Sequence, residues 1–289
     1  MLGRRFRVLL LAGILASGCV IDPPEAFVNP CSTEVWEYLP APGQFIGDKL
    51  DASSMDEACQ LAGRRLADHL FVSLGAFGGY IVVGFDHPIS NSGDYDIAVM
   101  GNSSEASSEP GTVWVMEDSN RNGKPDDVWY RLKGSADDDP STLKGLSVTY
   151  YRPDGPGKAV RWSASDGTEG FVPYLGEYHP QDSYYPRWVK EDSYTLTGLC
   201  LAPRNYDSSG NGTMWINPSY GTGYADNWSA EMDGRNNLFR ISDAVDDEGK
   251  PVNLDHADFV KVQTAVNTHS GWLGEASTEV LSIADYHLL

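Results

Sequence analysis

Residues 109–135 read EPGTVWVMEDSNRNGKPDDVWYRLKGS, and this stretch predicts how the chain folds. Two apolar and aromatic runs flank a polar centre, and each run has the length typical of a β-strand. The pair Asn122-Gly123 in the centre is typical of a tight turn between two strands. The stretch therefore predicts a β-hairpin with segment 118–127 at its tip.

The same pattern continues along the chain after residue 78. Short runs rich in Val, Ile, Tyr and Trp alternate with Gly, Asn, Asp, Ser or Pro, which predicts an antiparallel β-sandwich. The C-terminal run STEVLSIADYHLL (277–289) resembles the closing strand of jelly-roll domains of the galactose-binding or discoidin type. That fold-level resemblance implies no ligand. We predict one all-β domain of this type over residues 31–289.

One helix is predicted, over residues 54–70. Ser54 and Glu57 have the spacing of a capping box. Apolar residues such as Cys59 and Leu66 then recur at helical spacing. We expect this helix to pack one face against the β core.

The first 18 residues predict a secretory signal peptide. A basic head, MLGRRFR, precedes a short apolar run that is too short to span a bilayer as a helix. LASGC (15–19) resembles a bacterial lipobox, although Ala16 stands where Leu is usual. We expect Cys19 to become the lipidated N-terminus, carrying acyl chains such as palmitate, with residues 19–30 as a tether. An ordinary cleaved signal peptide is the alternative.

A lipidated Cys19 predicts export and attachment to the outer membrane or cell surface by acyl chains that do not span the bilayer. The chain has 21 Lys and Arg against 41 Asp and Glu, and loss of the three signal-peptide arginines leaves 18 against 41. A surface with this much negative charge repels nucleic acid and anionic lipid headgroups, and it is compatible with binding of divalent cations.

Three cysteines remain after Cys19. Cys31 and Cys59 flank the first mature segment and are predicted to form a disulfide in an oxidising compartment. Cys200 lies in an apolar strand pattern and is expected to be a buried free thiol.

The hairpin tip, 118–127, carries oxygen-bearing side chains at every second position. Calcium prefers six to eight oxygen ligands, and Gly123 stands at the sharp turn of an EF-hand-like loop. Trp129 occupies the twelfth position, where an EF-hand has a bidentate Glu, so any site is an oxygen cage on a hairpin. A metal-free polar turn is the alternative. The predicted ligands are Asp118, Asn120, Asn122, the Lys124 carbonyl, Asp126 and Asp127.

Several motifs together resemble a family of bacterial cell-surface lipoproteins known mainly from Bacteroidetes. Some members carry PKD-type modules, and some are encoded beside outer-membrane uptake systems, including corrinoid uptake. The resemblance covers nearly the whole mature chain and implies a surface lipoprotein. The motifs are PAPGQF (40–45), GGYIVVGFDHPI (78–89), SSEPGTVWVMEDSNRNGKPDDVWYRLKGS (107–135), YYPRW (184–188), GYADN (223–227) and DFVKVQTAVNTHSGWLGEASTEV (258–280).

Two segments rich in aromatic residues are candidates for ligand contact. Aromatic rings beside polar groups suit sugar rings or a flat macrocycle, whereas rings that fill the sandwich core are the structural alternative. The candidate ligand-binding residues are Tyr178, Tyr184, Tyr185, Trp188, Tyr224, Asp226, Asn227 and Trp228.

No common catalytic motif occurs in the sequence. HExxH, GxSxG, GxGxxG, CxxC and the P-loop are all missing, and the six histidines show no zinc-site spacing. We expect a calcium-stabilised surface lipoprotein that binds a glycan or another small ligand and is not an enzyme. One alternative is an accessory component of an outer-membrane uptake complex, with a corrinoid or protein partner. Another is a glycoside hydrolase using paired carboxylates, such as Glu105 with Glu109 or Glu275 with Glu279.

Overall fold

The computed structural model describes residues 28–47 and 51–289. The predicted signal peptide, Cys19 and the tether up to residue 27 lie outside these residues. Within the described part, no helix is both long and apolar enough to cross a membrane.

The described residues form eighteen strands, one α-helix and three short 3-10 helices. The strands are β1 (Glu34–Leu39), β2 (Val72–Ser73), β3 (Tyr80–Ser90), β4 (Ile97–Met100), β5 (Gly111–Met116), β6 (Tyr130–Leu132), β7 (Leu143–Tyr151), β8 (Val160–Ala164), β9 (Glu169–Val172), β10 (Ser193–Cys200), β11 (Tyr206–Asp207), β12 (Trp215–Ile216), β13 (Met232–Asp233), β14 (Asn236–Phe239), β15 (Ala244–Val245), β16 (His256–Thr264), β17 (Glu279–Val280) and β18 (Ser282–Asp285). The helix α1 is Met55–Ala67, and the 3-10 helices are Ile241–Asp243, Gly271–Leu273 and Tyr286–Leu288.

The strands pair antiparallel in several sheets. The largest has the order β1-β3-β16-β5-β6-β15, and two four-stranded sheets have the orders β10-β7-β8-β9 and β13-β14-β4-β18. Two further pairs join β11 to β12 and β17 to β2. The prediction of an all-β, sandwich-like fold with an N-terminal helix is confirmed at this level.

The hairpin predicted from residues 109–135 is present. β5 and β6 pair antiparallel, with Trp114 opposite Arg131 and Val115 opposite Tyr130. The other edge of β5 pairs with β16, so the hairpin sits inside the largest sheet with its 118–127 loop at the end.

One large apolar cluster joins the sheets to the helix. Val260 on β16, Val148 on β7, Val99 on β4 and Ala62 on α1 all belong to it, and all are buried. Burial of apolar surface stabilises the fold by about 25 cal/mol per Å², so this shared core explains why the sheets assemble.

The helix begins one residue after its predicted N-terminus and ends at Ala67. The Ser54 hydroxyl caps it by accepting from the Glu57 N–H at 3.3 Å. The Glu57 carboxylate reaches back to the Ser53 N–H at 2.8 Å, whereas a complete capping box would use the N–H of Ser54. The helix ends three residues before the predicted boundary.

The predicted disulfide between Cys31 and Cys59 is not formed in the structure, in which both thiols are free. Cys31 pairs through its backbone with Ala284, beside the C-terminal strand. The Cys59 thiol lies on α1 near the backbone of Tyr38, where burial raises its pKa to about 11. Cys200 is free and buried, as expected.

Candidate functional site

The 118–127 loop is organised around the carboxylate of Asp118. This carboxylate accepts hydrogen bonds from the backbone N–H of Asn122 at 3.1 Å and of Gly123 at 2.7 Å. The Asn120 side-chain oxygen accepts from the Asn122 N–H at 3.0 Å, and the Asn122 oxygen accepts from the Lys124 N–H at 2.8 Å. The positive φ of Gly123, 71°, allows the chain to turn at this point.

The second half of the loop folds back on the first. The side-chain amides of Asn120 and Asn122 both donate to Asp126, at 2.9–3.0 Å. The hydrogen bonds from these two amides keep the pKa of Asp126 below its ordinary value. Asp127 accepts from the Asn120 N–H at 3.4 Å, and the Lys124 carbonyl accepts from the Asp126 N–H at 2.9 Å. Hydrogen bonds thus link all six predicted calcium ligands within the loop, but a calcium ion would require both amides to present oxygen in place of their NH2 groups.

A second loop of the same geometry, residues 207–213, was missed by the sequence analysis. The Gly212 N–H donates to the Asp207 carboxylate at 2.6 Å, and the Thr213 N–H donates to the Asn211 oxygen at 3.2 Å. The signal was available, because Asp207, Ser209, Asn211 and Gly212 repeat the spacing of the first loop. Trp215 and Ile216 stand where the first loop has Asp126 and Asp127, so this copy lacks the closing carboxylates.

Most of the candidate ligand-binding aromatics are buried. Tyr184, Tyr185, Trp188 and Tyr224 are each at most 5% exposed. The Tyr224 hydroxyl, for example, donates to Asp137 at 2.8 Å in the interior. These four rings fill the interior, which is the alternative to ligand contact given above. They present no exposed face to a ligand in solution.

The remaining candidates divide into exposed and internal residues. Tyr178 and Trp228 are 55% and 46% exposed. Asn227 is buried and structural, because its side chain accepts from the Tyr220 N–H and donates to the Gly221 carbonyl. Asp226 is also buried, but it belongs to a different arrangement.

Asp226 lies in a cluster of carboxyl groups with Glu109 and Glu279. One oxygen from each residue lies within 4.8 Å of the other two. Among the described residues, the aspartates of the 118–127 loop form no such close group. We call Glu109, Asp226 and Glu279 the acid cluster.

Hydrogen bonds between three distant segments build the acid cluster. The Glu109 N–H donates to the Asp226 carbonyl at 2.9 Å, just before β5. The Glu279 N–H on β17 donates to the Asp226 carboxylate at 2.9 Å. The Thr278 hydroxyl donates to the Glu109 carbonyl at 2.8 Å. These bonds hold the three segments together, and the bond from Glu279 also positions the carboxylate of Asp226.

The backbone at Asp226 is strained. Its φ is 51°, in the left-handed region that few residues other than glycine adopt. A Cβ atom at Gly101 would lie 2.9 Å from the Cα of Asp226, so Gly101 permits this close approach. Gly101 thereby leaves room for the buried carboxylate of Asp226.

Burial governs the protonation of these groups. It raises the pKa of Glu109 to about 8 and that of Asp226 to about 7. Burial, followed by the charges of Glu109 and Asp226, raises the pKa of Glu279 well above its ordinary value. The nearby Glu275 is also buried, which raises its pKa to about 8. Near neutral pH these carboxyls retain protons unless a cation replaces them.

The acid cluster adjoins a cavity of about 290 Å³, here called the acid-lined cavity. Its polar wall includes carboxyl, amide and hydroxyl groups, and apolar side chains complete the lining. The lining residues are Gln44, Phe45, Phe71, Asn102, Ser107, Glu109, Asn217, Leu273, Glu275, Ser277 and Glu279. The PAPGQF and GWLGEASTEV segments quoted above both contribute residues to this cavity. Their positions in the sequence did not predict that they lie side by side in the structure.

Aromatic side chains lie beside this cavity. Phe45 contacts Phe71 and His179, with ring centroids 5.9 and 4.6 Å apart. Tyr178, next to His179, pairs with Trp272 at 6.0 Å. Tyr178 and Trp272 are 55% and 42% exposed, so they form an open aromatic pair, of which the sequence analysis found only Tyr178.

No protein-family model and no curated protein matches this chain.

Proposed function

We propose that this protein is an exported, lipid-anchored binding module whose acid-lined cavity takes a small neutral polyhydroxylated ligand, such as the terminal sugar of a glycan. The observation that carries this proposal is the combination of oxygen acceptors along the cavity wall with aromatic rings beside it. The expected lipid anchor at Cys19 would hold the cavity at the membrane surface.

The chemistry of the lining favours a sugar. Carboxylate, amide and hydroxyl groups accept the hydrogen bonds that sugar hydroxyls donate. The volume of about 290 Å³ is close to the lower end, roughly 300 Å³, of small-molecule pockets. No lysine or arginine is among the described residues that line the cavity, which argues against a phosphorylated or acidic ligand.

The exposed pair of Tyr178 and Trp272 extends this surface. Tyr178 adjoins His179, which contacts the cavity residue Phe45. Trp272 adjoins Leu273, which lines the cavity itself. A second sugar unit could stack on this pair while the first occupies the cavity.

A glycan array screened with the purified protein, followed by calorimetry on any glycan that binds, tests the proposal. Phe45→Ala and Trp272→Ala should each weaken binding at least about tenfold, equivalent to roughly 1.4 kcal/mol. Tyr206→Ala is the control, because Tyr206 is similarly exposed at 52% and lies outside the cavity lining. Absence of binding to any neutral glycan, or equal losses in all three variants, would overturn it.

Calcium in the 118–127 loop forms part of the proposal. The loop gathers three aspartates with two asparagines, a donor set that suits a hard divalent cation. The ion would neutralise the carboxylates and hold the end of the β5–β6 hairpin in one shape. Its role is structural, because none of the loop residues lines the cavity.

We also propose that the sheets form a jelly roll of the galactose-binding type. The C-terminal strand β18 pairs with β4 inside a four-stranded sheet, which supports a closing role for this strand. An experimental structure with a different strand order would contradict the proposal.

The acid cluster favours one alternative, a glycoside hydrolase. A general acid must hold its proton near neutral pH, and burial raises the pKa of Glu109 to about 8. Release of reducing sugar from a bound glycan, abolished in Glu109→Gln, would establish hydrolysis. Binding without turnover would leave the protein as a binding module.

A further inference from the structure

The acid cluster has the spacing of ligands around a metal ion. Calcium holds its oxygen ligands at about 2.3–2.6 Å, so two oxygens of one shell lie at most roughly 5 Å apart. One oxygen each of Glu109, Asp226 and Glu279 lies within 4.8 Å of the others. A single ion can therefore contact all three carboxylates.

In the described part of the chain these carboxylates have no ion-pair partner, although the charge of Arg235 acts to lower the pKa of Asp226. Among the described residues, no lysine, arginine or histidine forms an ion pair with any of the three. Asp226 and Glu279 are 1% and 3% exposed. Buried charges are normally paired or bound to a metal, because leaving water without a partner is costly.

A second observation points to a ligand at the same place. The side-chain oxygen Oε1 of Gln44 and the carboxylate oxygen Oε2 of Glu275 are buried and have no hydrogen-bond partner. Gln44 is 2% exposed and Glu275 is 3% exposed. Both residues line the acid-lined cavity together with Glu109 and Glu279. Buried oxygens of this kind normally find a donor or a cation.

We propose that the acid-lined cavity holds a divalent cation, calcium by preference, with Glu109, Asp226 and Glu279 as its carboxylate ligands. Gln44 and Glu275 line the same cavity, and their unpartnered oxygens would reach the ion through water. All of these donors are oxygens, which select a hard cation over zinc or copper. The site is separate from the 118–127 loop, and an ion can bind whether or not a sugar enters the cavity.

Calorimetry on the full-length protein, purified in detergent and stripped of metal, tests this site. The double variant Asp118→Ala/Asp126→Ala disables the loop, so any remaining calcium binding arises elsewhere. We expect this variant to bind one calcium ion and to lose at least about tenfold in affinity when Glu279→Gln is added. Glu169→Gln is the matched control, because Glu169 is an exposed glutamate on β9, and it should leave the affinity unchanged.

Two results would overturn the proposal: no calcium binding in the loop-disabled protein, or undiminished binding after Glu279→Gln. If Glu279→Gln fails to fold, crystals of the wild-type protein soaked in manganese provide an independent measurement. An anomalous peak among the three carboxylates supports the site. A peak confined to the loop, or no peak, would contradict the site.

Discussion

The backbone N–H of Glu279 donates a hydrogen bond to the carboxylate of Asp226 at 2.9 Å. This bond ties the loop between β12 and β13 to strand β17. One member of the acid cluster therefore positions the carboxylate of another through its backbone, while its own side chain accepts from the Ser73 hydroxyl at 3.2 Å and lines the cavity.

The metal-free protein should lose stability as the pH rises. Burial raises the pKa of Glu275 from 4.5 to about 8, so the folded protein retains a proton that the unfolded chain releases. The free energy of unfolding should fall between these two values, with a slope approaching about 1.4 kcal/mol per pH unit for one such carboxyl. Urea unfolding in EDTA at a series of pH values measures this slope.

Glu275→Gln should reduce this slope by up to about 1.4 kcal/mol per pH unit, because the amide does not titrate whereas the acid cluster still does. Glu169→Gln, on the exposed strand β9, should leave it unchanged. A wild-type stability that rises through the same window would contradict the burial of these protonated carboxyls.

Calcium should stabilise the 118–127 loop. Extracellular calcium modules bind at about 10⁻⁴–10⁻³ M, so about 1 mM calcium adds roughly 0.4–1.4 kcal/mol to the free energy of unfolding. Asp118→Ala and Asp126→Ala should abolish this gain, measured as the rise in melting temperature. The variants are best compared in a Glu279→Gln background, so that the acid cluster does not contribute.

Asp166→Ala is the control for this loop. Asp166 is an exposed aspartate that accepts from Thr168 in another turn. An equal response to calcium in Asp118→Ala and Asp166→Ala would show that the 118–127 loop is a metal-free turn.

Tyr224→Phe should destabilise the protein without affecting ligand affinity. The Tyr224 hydroxyl donates to Asp137 at 2.8 Å and accepts from the Ala136 N–H at 3.0 Å. Removal of the hydroxyl takes this partner from the Asp137 oxygen and from the Ala136 N–H. Each loss costs at most about 1–3 kcal/mol. Chemical denaturation measures the loss. If Tyr224→Phe kept the stability of the wild type but lost glycan binding, Tyr224 would be a ligand contact after all.

Cys19→Ser should prevent lipid attachment, because the serine hydroxyl cannot replace the thiol at the lipobox. Metabolic labelling with a fatty acid should then disappear, and the protein should move from the membrane to the soluble fraction. Cys200→Ser, at the buried thiol, is the control and should keep its label. Undiminished labelling of Cys19→Ser would rule out this anchor.

The sequence predicted the parts of the fold that local patterns encode. The hairpin at β5 and β6 followed from two apolar runs around Asn122-Gly123, and α1 followed from its helical spacing and the Ser54 cap. It also indicated the composition of the 118–127 loop, whose predicted ligands lie within ten residues of one another in the chain. In such segments, the number of residues between two side chains determines the distance between them.

Only the tertiary structure decided which distant residues meet. Glu109, Asp226 and Glu279 belong to three segments that hydrogen bonds between chain regions bring together, and no periodicity along the chain encodes that meeting. The burial of Tyr184 and Tyr224 and the free thiols of Cys31 and Cys59 were decided in the same way. Local sequence sets the period of a strand, whereas strand pairing and the shared core determine which side chains face the interior, a cavity or each other.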